Sequence, residues 1–80
     1  MIAFVTTRSG AQYAFKHDPL TWERIHGTQD IIGASSIRGA TRGSLIEWPA
    51  IIAGQGIMFD DKILGTIYTT PVVAVKVVYE

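Results

Sequence analysis

The chain has 80 residues, 48% hydrophobic and 18% charged, with seven basic residues balanced by seven acidic ones. That profile excludes an intrinsically disordered chain, and zero formal charge leaves no footprint for nonspecific binding to nucleic acid or anionic membrane. Without cysteine there are no disulfides or thiolate metal sites, and a small unstapled domain is expected in a reducing cytoplasm.

The opening Met1–Arg8 lacks the basic start and long apolar run of a signal peptide. No later stretch approaches the roughly 20 apolar residues that span a bilayer. One domain over residues 1–80 is expected, with a thin core, because a chain this short buries only about 60% of its unfolded surface.

Ile2 to Thr7 and Ala11 to Phe15 are β-rich and are joined by Arg8-Ser9-Gly10. Glycine at the end of a three-residue connection suits a hairpin whose turn closes at positive φ. Lys16-His17-Asp18-Pro19-Leu20 reads as a turn. Thr21 to Gly27 admits two readings. A short helix would have Asp18 as N-cap, Pro19 in its first turn and Gly27 past its end. A strand would alternate Thr21, Glu23 and Ile25 against Trp22, Arg24 and His26. The strand is favoured, because so short a segment carries little apolar stripe for a helix.

Gly27 to Gly43 has little pattern beyond a short strand expected at Ser36–Arg38. Ser44 to Trp48 reads as a strand stopped by Pro49. Gly54-Gln55-Gly56 is a bend, Ile57-Met58-Phe59 a strand, Asp60-Asp61-Lys62 a polar turn and Ile63 to Thr69 the return strand. Thr69-Thr70-Pro71 cannot form a tight two-residue hairpin, so a kink, a bulge or one 3₁₀ turn leads into Val72–Glu80. There Val73, Val75, Val77 and Tyr79 share one face, and the valines read as core. Six or seven short strands with glycine corners predict an all-β, small antiparallel barrel with its terminal strands adjacent. An SH3-like barrel is the first choice and an oligonucleotide-binding-like barrel the second.

Candidate chemistry is sparse. His17 and His26 are the only histidines, and no three-ligand cluster accompanies them, so no metal or other cofactor is expected. Asp60-Asp61 reads as a solvated turn pair, and no serine has a nucleophile-elbow setting. No enzyme is expected. The segment Arg38-Gly39-Ala40-Thr41-Arg42-Gly43 reads first as a mobile solvated loop; as the alternative, it spaces two arginines among glycines that let backbone N–H groups approach an anion, without the ending of a P-loop. Among the aromatic residues Trp22 and Trp48 have the strongest case for partial exposure, although packing is the favoured reading for both. Candidate contacts to a partner protein or nucleic acid are therefore Arg8, Trp22, Arg24, Arg38, Arg42 and Trp48.

Four stretches form a recognisable set: Thr6-Thr7-Arg8-Ser9-Gly10 with Tyr13, Thr21-Trp22-Glu23-Arg24-Ile25, Leu45-Ile46-Glu47-Trp48-Pro49, and Thr69-Thr70-Pro71-Val72-Val73. In that order the chain resembles short, uncharacterised proteins encoded by actinobacteria and their bacteriophages. The resemblance implies a phage or prophage setting and a bacterial cytoplasm, and it brings no activity, cofactor or catalytic residue. The leading expectation is a non-enzymatic binding module that engages a host or phage protein and self-associates. The alternatives are a nucleic-acid-binding barrel using the Arg-Gly loop and an exposed tryptophan, and a minor virion or assembly component.

Overall fold

The computed structural model describes residues 1–26 and 41–79. Six strands form within them: β1 (Ile2–Thr7), β2 (Gln12–Lys16), β3 (Thr21–His26), β4 (Arg42–Ser44), β5 (Gly56–Asp61) and β6 (Gly65–Val78). All pairings are antiparallel, in the spatial order β4-β3-β2-β1-β6-β5. A bridge between Leu45 and Asp61 then brings the first strand of that order to the last, so the sheet nearly closes into a barrel. The Ile46 N–H donates to Asp60 O and the Lys62 N–H to Ser44 O, both at 3.0 Å. Closure gives partners to backbone groups that a flat sheet would leave at its edges.

The alternation of side chains decides which face is core. β1 buries Ala3, Val5 and Thr7 and leaves Ile2, Phe4 and Thr6 half-buried on the other face. Directly opposed residues share a face, so the inner rows can be followed across the sheet. One row runs Gly43, Trp22, Phe15, Ala3, Val77, and the next runs Arg24, Tyr13, Val5, Val75. Phe59 of β5 meets these rows from the opposite wall. Its ring lies 5.1 Å from Phe15, 5.1 Å from Trp22 and 6.3 Å from Tyr13 by centroid, in tilted or edge-on arrangements. Ala11, Leu45, Ile57, Ile67 and Val72 complete the buried hydrophobic set, and Leu20, Trp48, Ile51 and Leu64 pack on it from the connecting segments.

Both expected hairpin features of the first half form. Gly10 has φ 91°, and its N–H donates to Thr7 O at 2.9 Å. The segment after Pro19 is a strand paired on β2, not a helix. The expected turn is shorter by one residue: Lys16 ends β2, and His17–Leu20 is a turn in which the Asp18–Pro19 peptide bond is cis. The expected strand at Ser36–Arg38 lies outside the described residues.

Three expectations need correction. The strand expected at Ser44–Trp48 lies earlier, at Arg42–Ser44. Only Leu45 continues it as a single bridge, because from there its partner changes from β3 to β5. Asp60 and Asp61 end β5 rather than forming a turn, and the turn falls at Lys62–Leu64. Asp61 is buried because it has acceptor work inside the barrel, described below. Finally, the valines of the closing strand are not core apart from Val72. Val73 is 60% exposed, and Val75 and Val77 are each 44% exposed.

The closing strand changes partners where the threonine–proline break stands. Gly65–Pro71 pairs with β5 and Val72–Val78 with β1, and the register slips on both sides, at Gly56/Met58 and at Thr6/Thr7. Bulges bend a strand and increase its twist, which lets one continuous β6 serve both walls. Pro71 is tolerated at this junction, where its C=O still accepts the Arg8 N–H at 2.8 Å.

Candidate functional site

Partner exchange along β6 leaves a one-sided ladder at its far end. Thr7 donates its N–H to Ala11 O and accepts the Gly10 N–H, both at 2.9 Å, so its backbone groups face β2. Alternation along an antiparallel strand then directs the backbone of Val5 and Ala3 to β2, and that of Thr6, Phe4 and Ile2 to β6. Their opposed residues Ala74, Lys76 and Val78 face β1 in return. The N–H and C=O groups of Val75 and Val77 therefore point away from β1. Cover on that side ends at Val72, whose N–H reaches Gln55 O and whose C=O takes the Gly54 N–H, both at 2.9 Å. Among the described residues no strand pairs with residues 73–78 there.

The side chains along this edge are apolar. Val75 and Val77 lie on the inner face, opposite Val5 and Ala3, and Tyr79 beyond them is 79% exposed. On the outer face a shallow groove of about 290 Å³ is lined in part by Phe4, Thr6, Gln12, Ile25 and Lys76. Lys76 is the one charged side chain between Val72 and Tyr79. A hydrophobic strand edge with little charge is a template for another strand.

Elsewhere the polar chemistry is structural. The Trp22 Nε1–H donates to Asp61 Oδ2 at 2.7 Å, while Asp61 Oδ1 accepts the N–H groups of Ile63 at 2.8 Å and Leu64 at 2.9 Å. Burial pushes the Asp61 pKa up, but the bonds from Trp22, Leu64 and Ile63 outweigh it and hold the pKa below the usual carboxylate value. Gly43 sits over this bond, and a Cβ there would run into Asp61 Oδ2 and Trp22 Nε1. Thr69 does similar work, accepting the buried Ile57 N–H at 3.0 Å on its Oγ1. The two ends of the barrel's closure are thus joined by a side-chain bond as well as by β4.

The expected contact residues do not form one surface. Trp22 is buried at 1% exposure, which agrees with the favoured packing reading and removes it as a surface contact: Asp61 gives its indole N–H a partner inside the core. Trp48 is half-buried and packs on the core, with the His17 ring 5.7 Å away by centroid. Arg8 is exposed in the β1–β2 turn. Arg42 is exposed on the outer face opposite Glu23, an opposite-charge cross-strand position. Arg24 faces inward beside Tyr13, with Nη1 buried and, among the described residues, without a hydrogen-bond partner. Arg38 lies outside the described residues. Among the described residues, no cluster of His, Asp and Glu has the makings of a metal site. The open β6 edge was missed in the sequence because valine-rich alternation reads as burial. The lone Lys76 and the proline break were the available signals. No protein-family model, curated protein or solved structure matches this chain.

Proposed function

We propose that this chain is a non-enzymatic binding module, phage- or prophage-encoded and working in a bacterial cytoplasm. It takes an extended polypeptide segment of a host or phage protein onto the open edge of β6. The observation that supports this is the one-sided ladder of residues 73–78, with the Val75 and Val77 backbone groups turned outward and apolar side chains beside them. In strand addition, main-chain hydrogen bonds supply affinity and alternate side chains supply specificity. Adjacent terminal strands, β1 beside β6, support an SH3-like reading of the barrel.

Val75→Pro tests the reading. It deletes an N–H that faces the open edge and leaves intact the N–H groups of Ala74 and Lys76 that face β1. Bait columns of wild type and Val75→Pro are run against host lysate, and retained proteins are identified by mass spectrometry. Retention by the wild type and loss from the variant is expected. Equal retention on both would exclude the edge as the binding surface.

A further inference from the structure

We infer that the strand taken up by the β6 edge is β6 of a second copy, in an antiparallel pairing whose two-fold axis passes through Val77. This rests on the strand-addition reading and names the occupant of the same edge. A two-fold antiparallel pairing opposes a residue with itself and its neighbours symmetrically, so the possible registers are few. Ladder bonds require outward-facing backbone on both copies, which on this strand means odd-numbered residues such as Val75 and Val77.

Any residue-centred axis meets that condition, and three of them keep both Val75 and Val77 paired within residues 73–79. An axis at Lys76 sets its ammonium directly opposite its own copy, which repulsion disfavours. An axis at Val75 opposes Val77 with Val73, where the β1–β6 register slips between Ala74 and Val72 and the ladder is irregular. With the axis at Val77, Val77 meets Val77 and Val75 meets Tyr79 twice over. Lys76 then lies opposite Val78. Aromatic on β-branched is a favourable cross-strand pair. The resulting stripe lies on the inner face, continuous with Ala3 and Val5, and it covers Val75, Val77 and Tyr79, which are 44%, 44% and 79% exposed in the single chain.

Charge does not oppose association, because the chain's formal charge is zero. The area sets its strength. A standard interface takes about 800 Å² from each partner, which is about a sixth of the 4864 Å² surface of this molecule. A single strand edge with one aromatic belongs at the small end of the range, so the dimer is concentration-dependent.

Sedimentation velocity across about 1 μM to 1 mM reads this directly. The expected result is a monomer–dimer transition that Val75→Pro abolishes while its circular dichroism stays that of the wild type. Val77→Cys gives an independent readout, since the chain has no cysteine of its own. A hydrogen-bonded opposed pair holds its Cα atoms about 5.5 Å apart, within the roughly 4.4–6.8 Å that a disulfide spans. Mild oxidation should give a covalent dimer from Val77→Cys and none from Ile63→Cys, placed at a position 92% exposed in the β5–β6 turn. A wild type that stays monomeric throughout, or cross-linking no better at Val77 than at Ile63, overturns the dimer. If Val75→Pro still loses a host protein in that case, strand addition stands with a foreign segment as the occupant. If it loses nothing, both readings fall.

Discussion

Asp61→Ala is the substitution that tests the closure of the barrel most directly. The carboxylate is 3% exposed and accepts three hydrogen bonds, one from Trp22 Nε1 and two from the turn N–H groups of Ile63 and Leu64. Removing it leaves the indole N–H of a ring that is 1% exposed without an acceptor, a penalty of about 1–3 kcal/mol, in addition to the loss of charge-assisted bonds worth roughly 1.5–3 kcal/mol each. The turn N–H groups reach water and recover part of their share, so the net loss is expected near 3 kcal/mol. For a domain of this size, with a total of about 4–12 kcal/mol, that is a quarter or more of its stability. It corresponds to a fall in Tm of roughly 12–24 °C.

Asp61→Asn separates the charge from the shape. A carboxamide offers one acceptor oxygen, so it serves either Trp22 or the turn and sets an N–H₂ group against the other. The pH dependence has a definite sign. The folded pKa lies below the ordinary value of an aspartate, so in the window between the two the unfolded chain binds more protons and stability rises with pH. The carboxylate's contribution is therefore complete above about pH 5 and is lost as pH falls through the folded pKa. Urea unfolding of wild type, Asp61→Ala and Asp61→Asn, followed by tryptophan fluorescence at neutral and acid pH, measures both effects. A loss below about 1 kcal/mol for Asp61→Ala, or a gap between wild type and Asp61→Asn that does not narrow on acidification, would refute the reasoning.

Gly43→Ala places a methyl group between Trp22 and Asp61. It should cost about 1–3 kcal/mol through strain and shift the fluorescence of the native state, which thermal melts and emission spectra will record. Gly10→Ala meets no neighbour within 4 Å but must hold φ near 91°. The expected cost is about 1–2 kcal/mol by chemical denaturation, with no change in oligomeric state. Leu45→Ala removes a fully buried side chain at the bridge between the first and last strands, and a loss of about 2–5 kcal/mol in urea midpoint analysis is expected. Arg8→Ala and Arg42→Ala change exposed side chains and should stay within about 0.5 kcal/mol of wild type in the same assay.

Much of the barrel was legible because local rules and tertiary demands agree in its first half. Arg8-Ser9-Gly10 needs positive φ at its end, and Gly10 supplies it. The alternation of Trp22 and Arg24 against Thr21 and Glu23 matches a strand with one wall on the core. Legibility failed where a residue answers to a distant partner. Asp61 follows Asp60 and precedes Lys62, which is turn chemistry by composition, yet its role is set by Trp22, 39 residues away. Val75 and Val77 carry the same residue type as buried Val72. Only the point where β5 and the Gly54-Gln55 bend before it stop covering β6 separates core valine from edge valine, and no local pattern encodes it.

Because β6 completes both ladders, the order in which the chain can fold is constrained. Ile2 pairs with Val78 and Asp61 with Gly65, so β1 waits for the most distant segment while β5 waits only for the next. At about 5–20 residues per second of synthesis, β1 stands with an open edge for roughly 4–14 s before its partner exists. Folding is thereby deferred to a late, long-range step of the slow all-β kind. The nascent hairpin β1–β2 must stay soluble on its own through that interval. The residues turned outward there, Gln12, Lys16 and the Arg8-Ser9 tip, are the ones that keep it so.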